Sequence, residues 1–285
     1  MKRIVLSFGL WCAIATIGNA QDSLVRRKVL THLGLFSASG SSLVALQNVW
    51  YKPHQTQSFH FYNDGSNWMQ MDKMGHALTA YVLTERINSL HRWSSGSYNP
   101  WVGAGYGLTY LGILELMDGY SGGWGFSWYD GLANGLGVFF SLGQNCLWNE
   151  QKFLPKFSFN RSPYAMYRPE VLGKNLAQQV LKDYNGQTYW LSIPLCKFLP
   201  FPEKFSFLCL SFGLGCEAKL VGDSDSWQQF NAYREFVFSL DIDLRQVAPN
   251  RPVLNRILSS INYVKIPFPS LVFLKENKPF RWIYY

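Results

Sequence analysis

MDKMGHALTAY (71–81), LGILELMDGYS (111–121) and SWYDGLANGLG (127–137) are the segments around which the rest of this sequence is arranged. Each is rich in Gly, Ala, Leu and aromatic residues, and each carries a short cluster of acids, an amide or a histidine. Read as helices, they place Asp72 and His76 on one face at i,i+4, Asp130 and Asn134 likewise, and Glu115 and Asp118 at i,i+3. Ionisable groups in such apolar surroundings are costly to bury unless they meet partners. The three polar faces are therefore expected to meet one another.

Working outward, a helix is expected over 71–90 with Asp72 favouring its N-terminus, a linker over 94–100, and a helix over 101–117. Gly103 and Gly107 in that helix have the small-xxx-small spacing that lets another helix approach. YSGGWG (120–125) reads as a turn, and Ser127 as the cap of a helix reaching about Trp148. His60, beside Asn63-Asp64-Gly65, reads as turn chemistry. Upstream, VLTHLGLFSASGSSLVALQNVW (29–50) has the length of a membrane span, and equally suits a buried helix that packs through small residues.

After Gln151 the character changes. Residues 155–167 read as irregular, 170–183 as one surface helix behind Pro169, and 252–262 as a short helix. Alternation is clearest over 234–244: Phe236, Phe238, Leu240, Ile242 and Leu244 share one face, and Glu235, Val237, Ser239, Asp241 and Asp243 the other. Segment 205–216 is apolar on both faces, as in a strand covered on both sides or one that meets lipid. Segments 187–195, 271–274 and 280–285 are further strands. Roughly five strands fall short of a closed bacterial barrel, which starts at about eight. The expected fold class is α+β: a bundle of about four apolar, glycine-rich helices, then a mostly antiparallel β part with one or two surface helices, the sheet curved over the helices. Three regions follow: a signal peptide over 1–20, a helical membrane-associated domain over 21–151 and a β-rich region over 152–285.

The address lies at the start. Lys2 and Arg3 precede an apolar run (4–17) and Gly18-Asn19-Ala20, the pattern of a secretory leader cleaved before Gln21. Charged residues make up 15% of the chain, against ~25% in an ordinary soluble domain, while 17% are aromatic, including 11 Trp and 16 Tyr. That balance suits a protein meeting a membrane interface. With a formal charge of +8, the expected partners are membrane lipid or other envelope components. The basic residues are scattered, so nucleic acid is not expected, and no motif names a protein partner. The expected location is the outer membrane or the periplasmic face of the envelope. Cys146, Cys196, Cys209 and Cys216 lack metal or redox spacing and read as buried free thiols.

Three readings are open for the polar set. In a catalytic one, His76 is a general base acting on an envelope lipid or glycan, with Glu115, Asp118 and Asp130 as partners. In a metal one, His76, Glu115 and Asp130 make a mixed oxygen–nitrogen site. In a structural one, the acids join Asp72, Lys73, Ser127 and Asn134 in a buried polar cluster that caps helices and orders an accessory factor of the membrane. Capping accounts for Asp72 and Asp130, and Asp118-Gly119 for a helix end, which leaves His76 and Glu115. No P-loop, G-x-S-x-G, H-E-x-x-H or Rossmann pattern occurs, so no cofactor is indicated.

DKMGH (72–76), ELMDGYSGGWGFSWYD (115–130) and LANGLG (132–137) resemble the YfiM-like family of envelope proteins, described as predicted periplasmic lipoproteins. KDYNGQTYWLS (182–192), SLDIDL (239–244) and VKIPFPSL (264–271) are similar to a long form of that family. The D-K-x-x-H, E and D-x-x-x-N arrangement also resembles VanZ-like membrane proteins at the level of motif. The resemblance implies an envelope location and no particular reaction. The chain departs from a lipoprotein in that Cys12, within the apolar run behind Trp11, is poorly set for lipidation.

Overall fold

The computed structural model describes residues 23–52, 55–273 and 280–284. The leader expected over 1–20 lies outside them. The chain is α+β, with helices in its N-terminal half and a largely antiparallel sheet in its C-terminal half. Among the described residues, four long helices precede the first strand: α1 (Ser23–Leu46), α2 (Met71–Ser95), α3 (Pro100–Gly119) and α4 (Trp128–Trp148). Among the described residues only α1 is long and apolar enough to cross a membrane, and none of its residues is buried. Pro100 opens α3, where a missing N–H costs nothing, and the Asn99 side chain accepts from Trp101 N–H. Ser127 caps α4 as expected, its Oγ accepting the Asp130 N–H at 3.1 Å.

The chain folds as two compact units. The first combines residues up to 62 with 83–131, the second 63–82 with 132–285. In the first, α3 buries Gly103, Gly107, Leu111, Glu115 and Gly119, one at every fourth position, while Trp101, Leu108, Ile113 and Leu116 are exposed. A Cβ on Gly103 would fall 2.3 Å from the Thr84 carbonyl of α2. The gap is closed by Asn88, whose Oδ1 accepts the Gly103 N–H at 2.9 Å and satisfies a donor of the first helical turn.

The second unit contains a six-stranded antiparallel sheet made of β1 (Leu154–Phe159), β2 (Gln187–Pro194), β3 (Leu208–Glu217), β6 (Tyr233–Ile242), β7 (Phe268–Phe273) and β8 (Phe280–Tyr284), hydrogen-bonded in that order. A two-stranded ribbon of β4 (Ser226–Trp227) and β5 (Phe230–Asn231) stands beside it. Three expectations are corrected. Residues 154–159, read as irregular, form β1, since Pro155 is tolerated on an edge strand. The helix expected over 170–183 is two, α5 (Pro169–Leu172) and α6 (Leu176–Lys182), because Gly173 takes φ +109 and Asn175 starts the second as its cap. Of the four free thiols only Cys209 and Cys216 are buried; Cys146 is exposed and Cys196 half-buried. The short helix α7 (Pro252–Ile261) stands as expected.

The sheet is inside out. Register aligns Lys156, Trp190, Gly213, Val237 and Val272 across five strands, and Ser192, Ser211, Ser239 and Ser270 in the next row. These residues occupy the inner face. There the Lys156 ammonium donates to Asp241 at 2.7 Å with both side chains at 0% exposure. Asp241 also accepts from Ser192 Oγ at 2.7 Å and from the Ile266 N–H at 3.2 Å. Lys265 is held by the Leu240 and Ile266 carbonyls at 2.7 and 2.8 Å, and Trp190 Nε1 donates to Ser158 at 2.8 Å. The opposite face carries Phe212, Phe236, Leu240, Leu271, Phe273 and Phe280, all exposed. In an ordinary half-buried sheet the apolar face is the covered one. Here polar groups, satisfied one by another, are buried beside a small apolar cluster of Trp190, Val237, Val272 and Tyr284, while a row of phenylalanines and leucines stands outside.

Candidate functional site

In the second unit the polar residues gather at the start of α2. Asn67–Gln70 form a tight turn in which Trp68, Met69 and Gln70 have φ of 51, 52 and 58. Left-handed backbone costs a residue with a side chain about 1–2 kcal/mol, so three in succession need firm anchors. Trp68 supplies one, its N–H donating to the Gly222 carbonyl at 2.8 Å and its ring resting on Tyr184. Gln70 supplies another, donating to the Gly65 carbonyl at 2.9 Å and accepting from the Arg234 guanidinium. Gly65 N–H bonds to Asn63 Oδ1, the turn chemistry expected at Asn-Asp-Gly.

This turn delivers Asp72 and Lys73 into the first turn of α2. The Lys73 ammonium lies 2.6 Å from Asp64 and 2.8 Å from Asp72. One cation thus serves two largely buried carboxylates. Burial raises the Asp72 pKa above its usual value even though Lys73 opposes the shift. The second oxygen of Asp72 is buried with no hydrogen-bond partner among the described residues. Asp64 was missed in the sequence because its Asp-Gly context accounts for it as a turn.

One turn on, His76 Nδ1 lies 3.2 Å from Asn134 Oδ1 on α4. An amide oxygen only accepts, so in this contact Nδ1 is the donor and Asn134 fixes the orientation of the ring. Between these residues, Gly75 lets α2 press on the sheet: a Cβ there would fall 2.8 Å from the Tyr189 hydroxyl of β2. That hydroxyl donates to Gln187 at 2.6 Å, and burial followed by the Asp72 charge pushes its pKa well up.

Glu115, Asp118, Ser127 and Asp130 belong to the first unit. Asp118 bonds to the Tyr51 phenol, whose pKa is raised by burial first and then by Asp118. It therefore has a role beyond closing α3. Glu115 is buried and its charge also acts on Tyr51. Asp130 lies one turn before Asn134 on α4, with its N–H held by Ser127. His60 braces a loop, its Nε2 lying 2.8 Å from the Trp124 carbonyl.

Residues 60–145 match the model of a family described as predicted periplasmic lipoprotein (DUF2279). The matched stretch contains every polar residue of this subsection from His60 to Asn134 and ends before β1. No curated protein and no solved structure matches the chain. The family description and the leader-like start of the sequence agree on export to the periplasmic side of the envelope.

Proposed function

We propose that this protein is a membrane-associated structural or accessory factor of the outer membrane, with lipid covering the apolar face of its sheet. One observation carries the reading. β3 and β6 bury Ser211, Glu235, Ser239 and Asp241 together with Cys209, Cys216 and Val237, and expose Phe212, Phe236 and Leu240, a distribution suited to a strand with hydrocarbon outside and polar groups inside. The likeness of DKMGH and its companion motifs to YfiM-like and VanZ-like proteins supports a membrane setting. Fractionation of envelope membranes followed by carbonate extraction tests it. The protein is expected to stay with the outer-membrane pellet; recovery as a freely soluble periplasmic species overturns the proposal.

A second reading, an enzyme acting on an envelope lipid or glycan, is favoured by the His76–Asn134 pair. The contact of 3.2 Å between Nδ1 and Asn134 Oδ1 orients the imidazole, and a positioned imidazole is the side chain most often used as a general base. His76→Ala decides between the two. An enzyme keeps its melting temperature and loses its capacity to complement a deletion strain, whereas a structural cluster loses the melting temperature as well.

A further inference from the structure

On the second unit, α2, α4 and the outer face of the sheet enclose a cleft of about 490 Å³. Met74 and Leu78 come from α2, Phe140 from α4, and Leu191, Phe212 and Phe236 from the sheet. We propose that this cleft binds one acyl chain of a membrane lipid. The inference rests on the lipid-facing reading of the same sheet face and adds a discrete site to it.

The volume is that of a small-molecule pocket, ~300–1,000 Å³. Its chemistry narrows the ligand. Among the described residues, Lys156 is the one charged residue in the wall, and its ammonium is turned to the inner face, where Asp241 and the Ile242 carbonyl hold it at 2.7 Å. The Tyr189 hydroxyl is committed to Gln187. β2, β3 and β6 are interior strands paired on both sides, so their peptide groups are already used. A polypeptide lying here would bury N–H and C=O groups against walls with little to pair them. A hydrocarbon chain has no such groups. Phe236 of the cleft wall pairs with Phe273 on the neighbouring strand, and Phe273 and Leu271 are exposed on the same sheet face, so lipid bounding that face would lie next to the cleft.

The polar residues do not form a head-group seat for this chain. At 100° per residue, Met74, Leu78 and Tyr81 lie on one side of α2, and Asp72 and His76 on the other. The cleft and the polar cluster are therefore separate features sharing one helix.

The test is a titration of the purified full-length protein with the fluorescent fatty acid cis-parinaric acid. Saturable binding is expected. It should weaken tenfold or more in Ala77→Phe, which fills the cleft, and stay unchanged in Leu271→Ser, which lies outside the cleft. Met74→Trp, at a helix position partly open to solvent, serves as a second filler if Ala77→Phe does not fold. Absence of saturable binding, or equal binding by a folded filler variant, overturns the proposal. The two readings fail separately. A soluble periplasmic protein that binds the probe keeps the site and loses the lipid-facing sheet; a carbonate-resistant protein without saturable binding does the reverse.

Discussion

Around Leu172 and Leu220 the second unit is built as water-soluble proteins are. Those leucines and Ala165 are buried beneath Trp68, Tyr164, Val171, Trp227 and Phe230. A few strands away, the six-stranded sheet of the same unit buries a lysine–aspartate pair and a row of serines while phenylalanines stand outside. The first region is held by removal of hydrocarbon from water, the second by mutual satisfaction of buried polar groups around the small apolar cluster of Trp190, Val237, Val272 and Tyr284. In the first unit α3 is mixed: it buries Ala104 and Leu111 along with glycines and Glu115, and exposes Trp101 and Leu116. On the proposed reading, hydrocarbon rather than water bathes the outer face of the six-stranded sheet. The contrast sets a conventional apolar core against an outward apolar face within the second unit without reference to any motif.

Substitutions can break that contrast. The largest effect is expected at Asp241, where Asp241→Ala strands the Lys156 ammonium in a sealed interior. Loss of one partner of a buried pair costs about 3–5 kcal/mol, as much as Leu172→Ala in the ordinary core at about 2–5 kcal/mol. Denaturant unfolding in detergent compares the two, and a negligible loss for Asp241→Ala would show that water enters the sheet's interior. Next comes Gly213→Val. A Cβ at this position would fall 2.7 Å from the Trp190 ring, so overpacking should cost about 1–3 kcal/mol. A neutral result would place the Trp190 ring away from the inner face.

Leu271→Ser sharpens the comparison from outside. A half-exposed leucine bathed by detergent should be replaced within about 0.5 kcal/mol, while the share of protein in carbonate-washed membranes falls. A loss of core size would mean that protein, not lipid, covers the face. The smallest effect is expected at Asp72. Its folded pKa is raised from 3.8 by burial, so the folded chain holds the proton more tightly than the unfolded one. The stability it contributes is present below the unfolded pKa and lost as pH rises through the folded pKa. Asp72→Asn should therefore leave the melting temperature at pH 7 unchanged or slightly higher and flatten its decline above about pH 4. A clear loss at pH 7 would make the Lys73 bond worth more than the burial penalty.

Several of these features were legible in the residues. Ser127 announced its cap, Pro169 and Pro252 their helix starts, and Asn63-Asp64-Gly65 its turn, because each acts through neighbours a few positions away. β1 was hidden by Pro155, and the break at Gly173 by a helical pattern continuing on both sides of it. The left-handed run at Trp68–Gln70 has no local signal, since none of the three residues is glycine and its anchors, Gly222 and Arg234, are remote.

The sequence alone determined the two alternating sets of residues 234–244, the helical spacing of Asp72 with His76 and of Asp130 with Asn134, and the address for export. Which set turns inward was decided only by tertiary structure. Period-2 alternation says that two faces differ and is silent about which one is covered. Lys156, Ser192 and Lys265 had to arrive from distant parts of the chain before Asp241 and Ser239 could become the buried side.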